Sequence, residues 1–173
     1  MALTRCYWRQ CNRKLALEEV YARFCDKLSK NNAGKDFDAT SHDYFVFHAP
    51  YNKLVSKSYG RLFFLDARRK RKQGEDISTI DEEWLAKPLG ETYTDKALEK
   101  VLKTLSKDSF DQRLGDANMA SKMVGNTYTA SVFFGLASLI DRVGGRGELS
   151  AEKSIAVFSY GSGALASMYR LSV

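Results

Sequence analysis

Between Asp43 and Lys57 the chain reads DYFVFHAPYNKLVSK, an apolar and aromatic run that reaches a histidine, meets a proline and then changes to helical spacing. Asp43 to Phe47 carries the β-branched and aromatic signature of a buried strand. Pro50 fits the first turn of a following helix, where a missing N–H costs nothing. Within that helix Leu54, Val55, Tyr59, Leu62 and Phe63 make one apolar stripe, and Lys53, Lys57 and Arg61 make a cationic column of i, i+4 neighbours beside it. A strand that feeds a helix is the repeating unit of an α/β fold, and the rest of the chain continues the alternation.

Leu15 to Lys30 places Leu17, Val20, Tyr21, Phe24 and Leu28 at helical period, and Asn31 to Gly34 supplies the stop. Lys96 to Ser106 is a second amphipathic helix, with Leu98, Val101, Leu102 and Leu105 inward. Asp108 to Gly125 has a mixed pattern. Thr127 to Ile140, TYTASVFFGLASLI, is almost uncharged and rich in small residues, so a helix there is expected to be buried on most sides. Ile155 to Ser159 and Ala164 to Leu171 read as two strands joined by a turn at Tyr160, Gly161, Ser162 and Gly163. Residues 67 to 81, which include Arg68, Arg69, Lys70, Arg71 and Lys72, are too polar for a core and read as a solvated helix end followed by a basic, mobile loop.

At 173 residues, 44% hydrophobic and 12% aromatic, the chain can bury one sizeable core. Its net charge of +6 favours a negative partner, whether nucleic acid, an acidic membrane surface or a small polyanion. Cys6, Cys11 and Cys25 are odd in number and lack CxxC spacing, so neither a disulfide framework nor a metal site is indicated and a reducing, cytoplasmic compartment is expected. No stretch reaches the roughly eighteen apolar residues of a membrane span. The opening MALTRCYWRQCNRK lacks the apolar core of a secretory signal, while its arginines and missing acids leave a transit peptide open.

His48 is either a core histidine bonded to a carbonyl or a proton-transfer group at a strand end. Lys53 and Lys57 repel one another by about 0.2 to 0.5 kcal/mol unless an anion such as a phosphate bridges them. Asn126 reads as an N-cap, or as an amide facing a substrate carbonyl. Ser162 sits in a tight hairpin rather than in the strand-to-helix elbow of a serine nucleophile. The basic run from Arg68 to Lys72 lacks the interleaved aromatics that stack bases.

Three segments, DYFVFHAPYNKLVSKS, GNTYTASVFFGLASL and FSYGSGALASMYRL, together resemble the C-terminal part of eukaryotic hydroxymethylglutaryl-CoA synthase. The resemblance covers residues 15 to 173, and residues 1 to 14 form a divergent N-terminal segment. It implies the C-terminal half of a thiolase-like α/β fold, a mixed sheet flanked by helices, in a family that works as a homodimer. The implied reaction condenses acetyl-CoA with acetoacetyl-CoA and water to hydroxymethylglutaryl-CoA, a step of the mevalonate route to isoprenoids and sterols. CoA thioesters are its substrates, with no separate cofactor and no metal.

By the resemblance, His48 is the active-site histidine that engages the acetoacetyl carbonyl, Lys53 and Lys57 contact CoA, and Asn126 and Ser162 line the acyl site. Tyr128 and Tyr160 adjoin matched positions and are expected to shape that pocket. The family's acetyl-accepting cysteine and its catalytic glutamate belong to the N-terminal half, so the chain alone is expected to be inactive and to expose apolar surface that the missing half would cover. A non-catalytic CoA-binding or regulatory remnant is the alternative, with a basic nucleic-acid-binding module behind it.

Overall fold

The computed structural model describes residues 2–31, 37–161 and 165–173, with side chains from Arg13 onward. A long helix α1 (Ala2–Asn31) leads to strand β1 (Tyr44–Phe47) and helix α2 (Asn52–Lys72). Short helices α3 (Glu82–Ala86), α4 (Lys96–Leu105), α5 (Lys107–Arg113) and α6 (Gly115–Val124) follow. Helix α7 (Ser131–Leu139) runs on into a π-turn at Ile140–Gly144, and β2 (Ser154–Tyr160) and β3 (Ala166–Ser172) close the chain.

The three strands form one mixed sheet in the order β1-β2-β3. Strand β1 pairs parallel to β2, Tyr44 opposite Ile155 and Phe47 opposite Phe158. Strand β3 returns antiparallel, Tyr160 opposite Ala166. Period-2 alternation sends Phe45, Phe47, Ala156 and Phe158 to one face, where they pack with Leu17 and Tyr21 of α1 and Val55, Tyr59 and Leu62 of α2. The opposite face sends Val46, Ile155 and Val157 against Ala117 of α6 and Val132 and Leu139 of α7. Both faces are therefore covered, as a parallel strand pair requires. Gly135 permits the second layer to close, because a Cβ there would meet Val46 Cγ1 at 3.2 Å.

Several expectations change in detail. Pro50 lies just outside α2, whose N-cap is the extended Tyr51. Helix α2 runs to Lys72, so the loop expected over 67 to 81 begins only at Gln73. Arg68 donates to the Lys87 carbonyl, Arg69 pairs with Asp66 at 3.5 Å, Lys70 with Asp38 at 3.0 Å, and Arg71 with Glu82. The basic run is thus tied into the molecule's own acids and carbonyls. Leu98 and Leu102 are buried in α4, but Leu105 turns outward at 43% exposure.

Helix α7 is not buried on most sides. Ser131, Val132, Gly135 and Leu139 face the sheet, whereas Phe133 is 71% and Phe134 40% exposed. Met123 and Val124 at the end of α6 and Tyr128 before α7 are exposed as well. This is apolar surface of the kind the sequence led us to expect on an unpartnered half.

Arg61 departs furthest from its expected place. It does not extend the cationic column but lies buried, donating from Nε and Nη2 to Glu18 Oε1 at 2.8 and 2.5 Å and from Nη2 to Thr92 at 2.8 Å. Tyr93 donates to the other Glu18 oxygen at 2.6 Å. A buried pair holds only when its remaining polar atoms are matched, and Thr92 and Tyr93 do that here.

Candidate functional site

Strands β1 and β2 run parallel, so their carboxyl ends lie side by side, the usual place for ligand-binding groups in an α/β sheet. His48 directly follows β1, and its backbone N–H donates to Phe158 O at 2.8 Å, extending the ladder by one rung. That bond fixes where the imidazole leaves the sheet.

The half-buried imidazole meets α7. Ser131 Oγ lies 2.5 Å from His48 Nδ1, and the same oxygen accepts the Ala49 N–H at 3.4 Å. Ser131 Oγ has one O–H and two lone pairs, so beside the Ala49 N–H it either donates to Nδ1 or accepts from an Nδ1–H, according to the tautomer. Burial, aided by the positive charge of Arg13, holds His48 below the usual histidine range. Where the serine donates, Nε2 carries the ring proton, a hydrogen-bond donor suited to a carbonyl oxygen.

Tyr160, at the carboxyl end of β2, lies under the Arg13 guanidinium, 5.6 Å from carbon to ring centroid. Arg13, His48 and Tyr160 therefore gather at one end of the sheet. Of the lysines, Lys53 is exposed. Lys57 Nζ is bound to Glu99 Oε1 at 2.6 Å, and Lys14 reaches the other Glu99 oxygen at 3.5 Å. A phosphate bridging Lys53 and Lys57 would have to displace Glu99.

Asn126 is exposed and uses its side-chain oxygen to accept the Tyr128 N–H at 2.8 Å, an Asx turn before the 3₁₀ turn Tyr128–Ala130. Tyr128 itself is 74% exposed and adopts φ +50°, in the left-handed region that side chains other than glycine seldom occupy. Ser162 lies outside the described residues. Beside that segment, Gly161 N–H donates to Leu165 O at 2.8 Å.

Two residues of the site escaped the sequence reading. Ser131 had counted only as one small residue among several in TYTASVFFGLASLI, and Arg13 fell in the segment set aside as divergent. The i-to-i+4 spacing from Thr127 to Ser131 could have marked the serine as facing the same side as the loop residues. Cys25 is no hidden nucleophile, since burial pushes its thiol up to about 11. Among the described residues no group of three or more His, Cys, Asp or Glu could hold a metal ion, and no helix is long and apolar enough to cross a membrane.

The sequence family described as hydroxymethylglutaryl-coenzyme A synthase C terminal matches residues 5–173. The chain is 38% identical over 163 residues to hydroxymethylglutaryl-CoA synthase 2 of Blattella germanica, covering 91% of this chain and 34% of that protein. It is 36% identical over 172 residues to hydroxymethylglutaryl-CoA synthase erg13A of Aspergillus fumigatus, covering 99% and 35%. The corresponding synthase of Saccharomyces cerevisiae is 36% identical over 165 residues, with 91% and 33% covered. The chain thus spans about a third of the length of the curated relatives it matches. Among solved structures, MvaS in complex with 3-hydroxy-3-methylglutaryl coenzyme A superposes with a TM-score of 0.61 at 20% identity, over 85% of this chain and 31% of that one. The fold is that of the C-terminal half of the thiolase-like architecture.

Proposed function

Because the chain belongs to the hydroxymethylglutaryl-coenzyme A synthase C-terminal family, we propose that it supplies the histidine-bearing, CoA-thioester-binding portion of an acyltransferase. The reaction condenses acetyl-CoA with acetoacetyl-CoA and water to hydroxymethylglutaryl-CoA and free CoA, an early step toward isoprenoids and sterols. The observation that carries this reading is the pair His48 and Ser131, a half-buried imidazole held by a hydroxyl at the carboxyl ends of parallel strands.

In this mechanism Nε2–H donates to the ketone oxygen of the acetoacetyl group. As the carbon nucleophile adds to that carbonyl, negative charge grows on the oxygen and strengthens the bond from Nε2. To quench the alkoxide His48 enters this step as imidazolium, gives its Nε2 proton to the oxygen and ends as neutral imidazole, and its lowered pKa makes that imidazolium the stronger acid. Asn126 and Ser162 complete the acyl pocket, and Lys53 with Lys57 receives the CoA phosphates once Glu99 gives way. The thioester-forming cysteine and the glutamate that generates the carbon nucleophile are assigned to the portion of the relatives that these 173 residues do not span. Labelled acetyl-CoA therefore leaves no thioester on Cys25, whose thiol is buried and stays protonated.

The same reading takes CoA thioesters as substrates without a resident cofactor, a homodimer as the complete assembly and the cytoplasm as the compartment. The cytoplasmic synthase of Homo sapiens, 34% identical over 163 residues, supports the last point. Internal partners on Arg68 to Arg71 count against the nucleic-acid alternative.

Titration calorimetry with acetoacetyl-CoA tests the proposal. Saturable binding that weakens about tenfold in His48→Ala, the worth of one good hydrogen bond, supports it. Absence of binding, or equal affinity in the variant, overturns it.

A further inference from the structure

Arg13, on α1, is only 5% exposed, and among the described residues neither its Nε nor its Nη2 has a hydrogen-bond partner. A guanidinium carries five N–H donors and no acceptor, so burying it unmatched is a cost that a merely structural arginine would avoid. Burial lowers its pKa to about 10, which leaves it charged at neutral pH. The Tyr160 ring beneath it offers a quadrupole but no lone pairs directed at the N–H groups.

Together with Lys14, Leu17, Leu54, Lys57, Ser58 and Glu99, Arg13 lines a cavity between α1, α2 and α4. Three cations face one carboxylate there, a local charge of +2, and Glu99 is already shared between Lys14 and Lys57. About 20 Å³ of the cavity is accessible to the centre of a water molecule. One water needs roughly 10 to 15 Å³ by that measure, so the space takes one to two oxygens, those of a carboxylate or of one edge of a phosphate, and not a chain of phosphates.

We propose that Arg13 anchors a small-oxyanion site, in which its unpaired N–H groups take one carboxylate or one phosphate group, with Ser58 and Lys57 beside it. Arginine's planar fork matches either group with two parallel hydrogen bonds. The site stands on Arg13 and its cavity and does not depend on the acyltransferase reading.

Calorimetric titration of the 173-residue chain with sodium phosphate and, separately, with sodium acetate at low ionic strength tests it. Saturable one-to-one binding of at least one probe is expected, weakened tenfold or more in Arg13→Met. Preference for phosphate assigns the site to a phosphate monoester, and preference for acetate assigns it to a carboxylate. Without probe, Arg13→Met melts at the same or a higher temperature than the parent, because an unmatched buried charge is gone. In the parent protein the Arg13 Nε–H resonance shifts along the same isotherm, a readout that needs no variant. No saturable binding of either probe, an unmoved Nε–H resonance, or Arg13→Met affinity within twofold of the parent overturns the proposal.

Discussion

Ser131 Oγ lies 2.5 Å from His48 Nδ1, a contact in which the serine donates when Nε2 carries the ring proton and accepts when Nδ1 does. Helix α7 brings the serine to the end of β1 because Gly135 lets α7 settle against Val46. The contact is thus a consequence of helix–sheet packing. In the serine-donating form that the proposed function uses, Ser131→Ala removes the hydroxyl that holds Nδ1 unprotonated. Long-range ¹H–¹⁵N correlation spectra should show a single Nε2–H form in the parent and a mixture in the variant, with about 1 kcal/mol of the selection lost.

His42 offers a pH-dependent test. It is 1% exposed among Phe24, Phe37 and Phe45, its Nδ1 has no partner among the described residues, and its pKa is lowered to about 4. Burial is the main cause, with Arg170 and Arg113 lowering it further and Asp38 and Asp43 opposing. Between about 4 and the unfolded value near 6.5, the unfolded chain binds the extra proton, so stability falls as pH falls through that window. The loss is on the order of 3 kcal/mol. His42→Phe should be less acid-sensitive than the parent by about that amount between pH 7.5 and 4.5 in urea denaturation, and parallel profiles would refute the assignment.

How much of this could be read from the chain itself is clear from α2. Its strand-then-helix pattern and its apolar stripe are local, and Val55, Tyr59 and Leu62 lie where helical period places them. The fate of its cations is not local. Lys57 and Arg61 share a spacing, yet one meets Glu99 and the other Glu18, 42 residues downstream and 43 upstream. Periodicity assigns a face but not the acid that will come to rest against it. The same limit hid Ser131 from His48, 83 positions away. Helix α7 shows the reverse case, where an apolar sequence was taken as buried although Phe133 finds nothing to cover it among the described residues.

The buried Arg61–Glu18 pair should behave asymmetrically. Arg61→Leu alone leaves the Glu18 charge in the core and should cost about 3 to 5 kcal/mol. Adding Glu18→Leu should recover most of that loss. Chemical denaturation of the parent, both single variants and the double variant measures the coupling, and additive costs would contradict a matched pair.

Exposed apolar groups on α6 and α7 predict self-association of the 173-residue chain. Met123, Tyr128 and Phe133 are 78%, 74% and 71% exposed, and large apolar side chains left in water favour a partner surface when they adjoin. Sedimentation velocity should show concentration-dependent species that Phe133→Asp reduces while the fold is kept. A parent protein that sediments as one monomer at all concentrations would count against a docking face here.

The most direct test exchanges the matching third of the Saccharomyces cerevisiae relative for the corresponding residues of this chain, and follows hydroxymethylglutaryl-CoA formation from acetyl-CoA and acetoacetyl-CoA. The chimera should turn over, and His48→Ala in it should slow condensation by about 10² to 10⁴ while acetylation of the relative's cysteine proceeds. A folded, acetylated chimera that makes no product, or a His48→Ala chimera as fast as its parent, would contradict the assignment of this chain to the histidine-bearing portion of the synthase.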